Sequence, residues 1–79
     1  MSIVDMNIGD KAKVVDIHAQ KDLKLRLQSL GLAKGADIEV RGFAIGKQNV
    51  ELLVDDTLVG LRQTEMRLIE VEMPKETQR

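Results

Sequence analysis

Apolar positions in this chain follow two different periods, and the change between them divides it into elements. Leu23, Leu27 and Leu30 recur at i, i+4 and i+7, the stripe that one face of an α-helix presents to a core. Gly31 follows and closes that helix, because glycine reaches the left-handed conformation without a Cβ clash, and Gly35 reverses the chain. On either side the period is two. Ala12 to His18 reads as a strand with Val15 and Ile17 on one face and Val14 on the other. Ile38 and Val40 alternate with Asp37, Glu39 and Arg41. Val50, Leu52 and Val54 alternate with Glu51, Leu53 and Asp55, and Ile69, Val71 and Met73 with Glu70 and Glu72.

Turn signals separate these runs. Gly9-Asp10 is a turn, Gly42 to Asn49 reads as a hairpin loop, and Asp55-Asp56 is a tight turn before Leu58, Gly60 and Arg62. Gly60 is a candidate bend or bulge, and Thr64 a candidate cap for one helical turn over Glu65, Met66 and Arg67. The sum is a mainly β fold. About five closely spaced strands with one inserted α-helix are most simply closed into a small, partly open barrel.

Composition narrows the class. The 79-residue chain is one domain, 43% hydrophobic, with Phe43 its sole aromatic residue, so Val, Ile, Leu and Met must build the core. Cysteine is absent, which removes disulfides, thiolate metal clusters and a cysteine nucleophile. The segment Met1 to Asp5 lacks the features of a signal peptide and no apolar run is long enough to span a bilayer, so a cytoplasmic location is expected. Twelve basic and 13 acidic side chains leave a net charge of -1. That balance, with a single aromatic residue to stack bases, argues against nucleic acid as a partner.

Enzyme chemistry finds little to use. His18 is the only histidine, and Ser2 and Ser29 are the only serines. The carboxylate pairs Asp55-Asp56 and Glu70/Glu72 read as a turn and a solvated strand face. Gly42 to Gln48 approaches the phosphate-loop pattern, but with three residues between its glycines and Gln48 in place of Ser or Thr. For a metal, Asp16 and His18 are the candidates, a weak divalent site at most. The helix offers the better surface. With Leu23, Leu27 and Leu30 inward, Leu25 points outward between Gln28 and Ser29, and Leu32 or Ile45 would extend it into a patch. Arg26, at the edge of the stripe, either reaches a carboxylate within the fold or presents its guanidinium to a partner.

Two segments carry a family resemblance. Arg26-Leu27-x-x-Leu30-Gly31-Leu32-x-x-Gly35, followed by Ile38, and Leu61-Arg62-x-x-Glu65-Met66-x-x-Ile69-x-Val71 together resemble a FeoA-type domain over Met6 to Glu72. Lys34 stands where that family often has proline, and Gly60 and Met66 where it often has small residues. The resemblance implies an SH3-like domain over residues 1–73; the polar residues 74–79, from Pro74 onward, read as a disordered tail. The resemblance also implies a non-enzymatic accessory protein of ferrous iron uptake, acting on the cytosolic GTPase region of the membrane transporter FeoB. On that reading Leu25, Arg26, Ser29 and Leu32 form the partner-binding face, no cofactor beyond weakly held Fe2+ or another divalent metal is expected, and unpaired strand edges allow weak homo-oligomers. The alternative is a metal-responsive SH3-like domain of the kind found in DtxR-type repressors, where it follows a DNA-binding region that these 79 residues do not include. A polyproline-binding SH3 module would need an aromatic groove that one phenylalanine cannot line.

Overall fold

Five antiparallel strands carry the chain in a computed structural model that describes residues 1–74. They are β1 (Lys11–Ile17), β2 (Asp37–Phe43), β3 (Asn49–Val54), β4 (Thr57–Arg62) and β5 (Ile69–Glu72). One sheet contains them all in the order β4-β3-β2-β1-β5. β4 and β5 are therefore the two edges and leave the barrel partly open. Helix α1 (Lys21–Ser29) joins β1 to β2, and the single turn α2 (Gln63–Met66) joins β4 to β5. Residues 75–79 of the expected tail lie outside the described residues.

The alternation in β2, β3 and β5 holds. Ile38, Val40, Val50, Leu52, Val54, Ile69 and Val71 are all buried in one aliphatic core. In β1 it does not hold as read. An irregularity between Val14 and Asp16 inserts one extra residue opposite β5, so Ala12, Val14 and Ile17 all face the core while Val15 is half-buried. A second bulge falls in β2 between Val40 and Gly42. Gly60 makes none, because β3 and β4 stay in continuous register from Asn49↔Arg62 to Val54↔Thr57. Gly42 and Phe43, assigned above to a loop, belong to β2, and a short 3-10 turn at Ile45–Lys47 completes the connection.

The end of α1 redraws its apolar stripe. Helical geometry stops at Ser29, and Gly31 takes φ +97°. The Gly31 N–H then donates to the Gln28 carbonyl at 2.9 Å and the Leu32 N–H to the Leu27 carbonyl at 3.1 Å, the paired bonds of a Schellman cap. That cap turns Leu32 into the core beside Leu27, each with no exposed surface, and leaves Leu30 36% exposed. Leu32, not Leu30, completes the stripe. The helix is held down by few residues, with Leu27 fully buried and Leu23 half-buried.

At the N-terminus, a 3-10 turn at Ile3–Asp5 drops Ile3 and Met6 fully into the core. The Lys47 ammonium donates to the Val4 and Met6 carbonyls at 3.1 and 2.9 Å and lies over the Phe43 ring. This latch ties the N-terminal turn to the β2–β3 connection.

Candidate functional site

The surface around α1 is built on one ion pair. The Arg26 guanidinium donates to the Glu65 carboxylate at 2.7 Å, joining α1 to α2. Glu65 is 8% exposed, and its other oxygen accepts the Arg62 backbone N–H at 2.9 Å. That bond satisfies a first-turn donor of α2, so Arg62, rather than Thr64, occupies the cap position. Glu65 thus serves two helices at once. Its place three residues after the cap is the sequence signal for the second role; nothing local signals the first.

Arg26 fills the structural role anticipated for it while most of its side chain stays exposed. Among the described residues its five guanidinium N–H donors meet one acceptor, Glu65, which leaves others to meet a partner. Leu25 beside it is 53% exposed. Ser29, one turn further, donates its hydroxyl to the Arg26 carbonyl at 2.6 Å and remains on the surface. The structure therefore brings Leu25, Arg26 and Ser29 together on the outer side of α1. Leu32 is excluded from that face by the Schellman cap that buries it, a correction to the expected set. Leu30 takes its place at the surface, lining a cleft with Ser29, Gly31, Leu58 and Gly60.

The metal candidates separate. The Asp16 carboxylate accepts the Ile17 backbone N–H at 2.8 Å. This bond holds its pKa below the ordinary aspartate value; partial burial opposes the shift, and the positive charges of Lys34, His18 and Lys24 add to it. His18 instead pairs with Glu70 of β5, Nε2 to Oε1 at 2.8 Å, on the surface. Among the described residues no group of three or more His, Asp or Glu side chains is placed to hold a metal ion. No helix of the described residues is long and apolar enough to cross a membrane.

Comparison with known proteins follows the same lines. Residues 1–73 match the model of the FeoA domain family. A Campylobacter jejuni protein named as an Fe(2+) transport protein A is 30% identical over 73 residues, covering 92% of this chain and 99% of that protein. The solution structure of FeoA from Chlorobium tepidum is 30% identical with a TM-score of 0.86, over 92% of this chain and 70% of that one. Two further structures, each below 25% identical, show the fold alone. They are Stenotrophomonas maltophilia FeoA, described as an SH3 domain protein (22%, TM-score 0.78, 91% and 89% covered), and the manganese-activated repressor ScaR (23%, TM-score 0.82, 94% and 35% covered). With both anchor segments matched within one continuous stretch and the open five-strand sheet in place, the chain belongs to the FeoA domain family, SH3-like proteins associated with ferrous iron transport.

Proposed function

We propose that this protein is a non-enzymatic, cytoplasmic accessory factor of ferrous iron uptake that binds the cytosolic GTPase region of a FeoB-type transporter through the outer face of α1. Family membership supports the transport setting. The observation that carries the choice of face is the grouping of Leu25, Arg26 and Ser29. A half-exposed leucine sits beside an arginine tied at one end to Glu65, with most of its side chain on the surface. Arginine is enriched among the residues that dominate binding energy at protein interfaces, and Leu25 beside it adds apolar area to the same face. Anchoring to Glu65 lowers the entropy lost when the guanidinium docks.

Amide chemical-shift titration of the labelled chain with that GTPase region, nucleotide present, tests the reading. Shifts clustered at Leu25, Arg26 and Ser29 are expected. An unperturbed spectrum at near-millimolar partner overturns it. The alternative reading as a metal-responsive domain shares the fold with ScaR, but no clustered ligand set among the described residues favours it.

A further inference from the structure

The two edges of the sheet are finished differently. The chain itself covers β5: its Val71 N–H donates to the Met1 carbonyl at 2.8 Å, Ser2 forms a bridge with Glu70, and Glu70 and Glu72 place charge along it. Among the described residues the β4 edge has no such cover. Register pairs Val54 with Thr57 through a two-residue turn, and the Gln63 N–H donates to the Gln48 carbonyl at 2.8 Å one rung beyond Arg62. Hydrogen-bonded rungs to β3 therefore fall at Thr57, Val59, Leu61 and Gln63. The backbone groups of Leu58, Gly60 and Arg62 point away from the sheet. The Arg62 N–H does so visibly, since the Glu65 carboxylate takes it. For Leu58 and Gly60 no outward backbone partner occurs among the described residues.

An open edge of this kind is normally guarded by charge, proline or a bulge. Between Asp56 and Arg62 β4 has none of these, and Leu58 on it is 55% exposed. What fits two successive outward residues, each with a free N–H and C=O, is an extended backbone.

We propose that β4 pairs antiparallel with β4 of a second copy of this chain, in the register that sets Leu58 opposite the partner's Gly60 and Val59 on the two-fold axis. Hydrogen-bond valence selects that register. It satisfies the N–H and C=O of Leu58 and Gly60 in both copies with four bonds, and the ladder ends there because Glu65 already holds the Arg62 N–H. Side chains agree with it. A Cβ built at Gly60 meets nothing within 4 Å, which leaves room for the partner's Leu58. Just beyond the ladder, the register sets the Arg62 side chain opposite the partner's Asp56 in the turn, twice by symmetry. Both residues are exposed and neither joins an ion pair among the described residues. Read antiparallel, the edge is complementary to itself: acid at one end, arginine at the other, an uncharged run between. A register centred on Gly60 would need the Arg62 N–H that Glu65 holds and would place Arg62 opposite the partner's Leu58.

Sedimentation velocity of the full chain, from micromolar to millimolar concentration, reads the result. The mass is expected to rise with concentration from 8.8 kDa toward double that value. Asp56→Arg and Arg62→Glu should each weaken dimerisation by about tenfold or more, because each turns two attractive cross-strand pairs into repulsive ones. Mixing the two single variants should restore a heterodimer, and the double variant should self-associate like the unmodified chain. Retained amide dispersion in each variant establishes that the fold persists. A monomer at every concentration overturns the proposal, whether or not β4 accepts a strand from another protein. So does a dimer indifferent to both reversals, or a mixture that associates no better than its components.

Discussion

Arg26 and Glu65, 39 residues apart in the chain, meet at 2.7 Å and fasten α1 to α2 across the domain. The pair is asymmetric, with a nearly buried carboxylate and a guanidinium that is more than half exposed. Its importance therefore lies in what happens to Glu65 when the arginine is lost. A buried carboxylate left with only one backbone donor is costly, whereas the exposed guanidinium returns to water at little cost.

Arg26→Ala should accordingly destabilise the domain by about 1–2 kcal/mol, the exposure of Arg26 keeping the effect at the lower end for a buried pair. Glu65→Gln keeps an acceptor for the Arg62 N–H and removes the charge, so Arg26→Ala should cost less in that background. A double-mutant cycle by urea denaturation measures the coupling.

Two leucines two residues apart on α1 should behave in opposite ways. Leu27 has no exposed surface, so Leu27→Asp buries an uncompensated charge and should abolish the folded amide spectrum. Leu25 is half-exposed, so Leu25→Asp should change stability by no more than about 0.5 kcal/mol. Under the proposed function the same change weakens binding to the transporter's GTPase region. Unchanged affinity, measured calorimetrically with a folded variant, would remove Leu25 from the interface.

Gly31 and Gly35 both adopt positive φ, +97° and +87°, but only Gly31 is also crowded. A Cβ there would stand 3.1 Å from Val54 Cγ1, while at Gly35 it meets nothing within 4 Å. Gly35→Ala should cost about 1 kcal/mol from backbone strain alone. Gly31→Ala should cost more, and the excess over Gly35→Ala, read from thermal or urea midpoints, reports the contact of α1's cap with β3.

The Asp16 carboxyl accepts the Ile17 N–H, and its pKa lies below the ordinary aspartate value. A group with a lowered native pKa stabilises the fold above its unfolded pKa, and that contribution is lost as pH falls through the native value. Stability of the native chain should therefore fall more steeply below the ordinary aspartate range than that of Asp16→Asn. Carbon-detected titration of the carboxyl should show the lowered midpoint directly. A midpoint at or above the ordinary value would contradict the bond.

Much of this architecture was written in local pattern. The alternations Ile38/Val40, Val50/Leu52/Val54 and Ile69/Val71 predicted three core-facing strands, and the Leu23/Leu27 spacing with Gly31 predicted the helix and its stop. These succeed because strand pleat and helical turn are properties of neighbouring residues, fixed by backbone geometry at i+2 and i+4. The spacing of the Arg26–Gly35 and Leu61–Val71 segments was enough to recognise the family. Features that need a second segment were not written there. The bulges that put Val14 and Ile17 on one face, and that fall at Arg41 rather than Gly60, are set by how β1 and β2 must coil against their neighbours. Ile3 and Met6 entered the core through a three-residue turn too short to show a period.

The site divides in the same way. An outward Leu25 follows from helical angle alone, and so was determined by the sequence. Burial of Leu32 in place of Leu30 depended on the cap's hydrogen bonds to Gln28 and Leu27. The partners of Arg26 and His18, Glu65 and Glu70, lie 39 and 52 residues away. Their meeting was decided by the tertiary structure, because the distance between two side chains remote in sequence depends on strand order, and strand order is a property of the whole packed sheet.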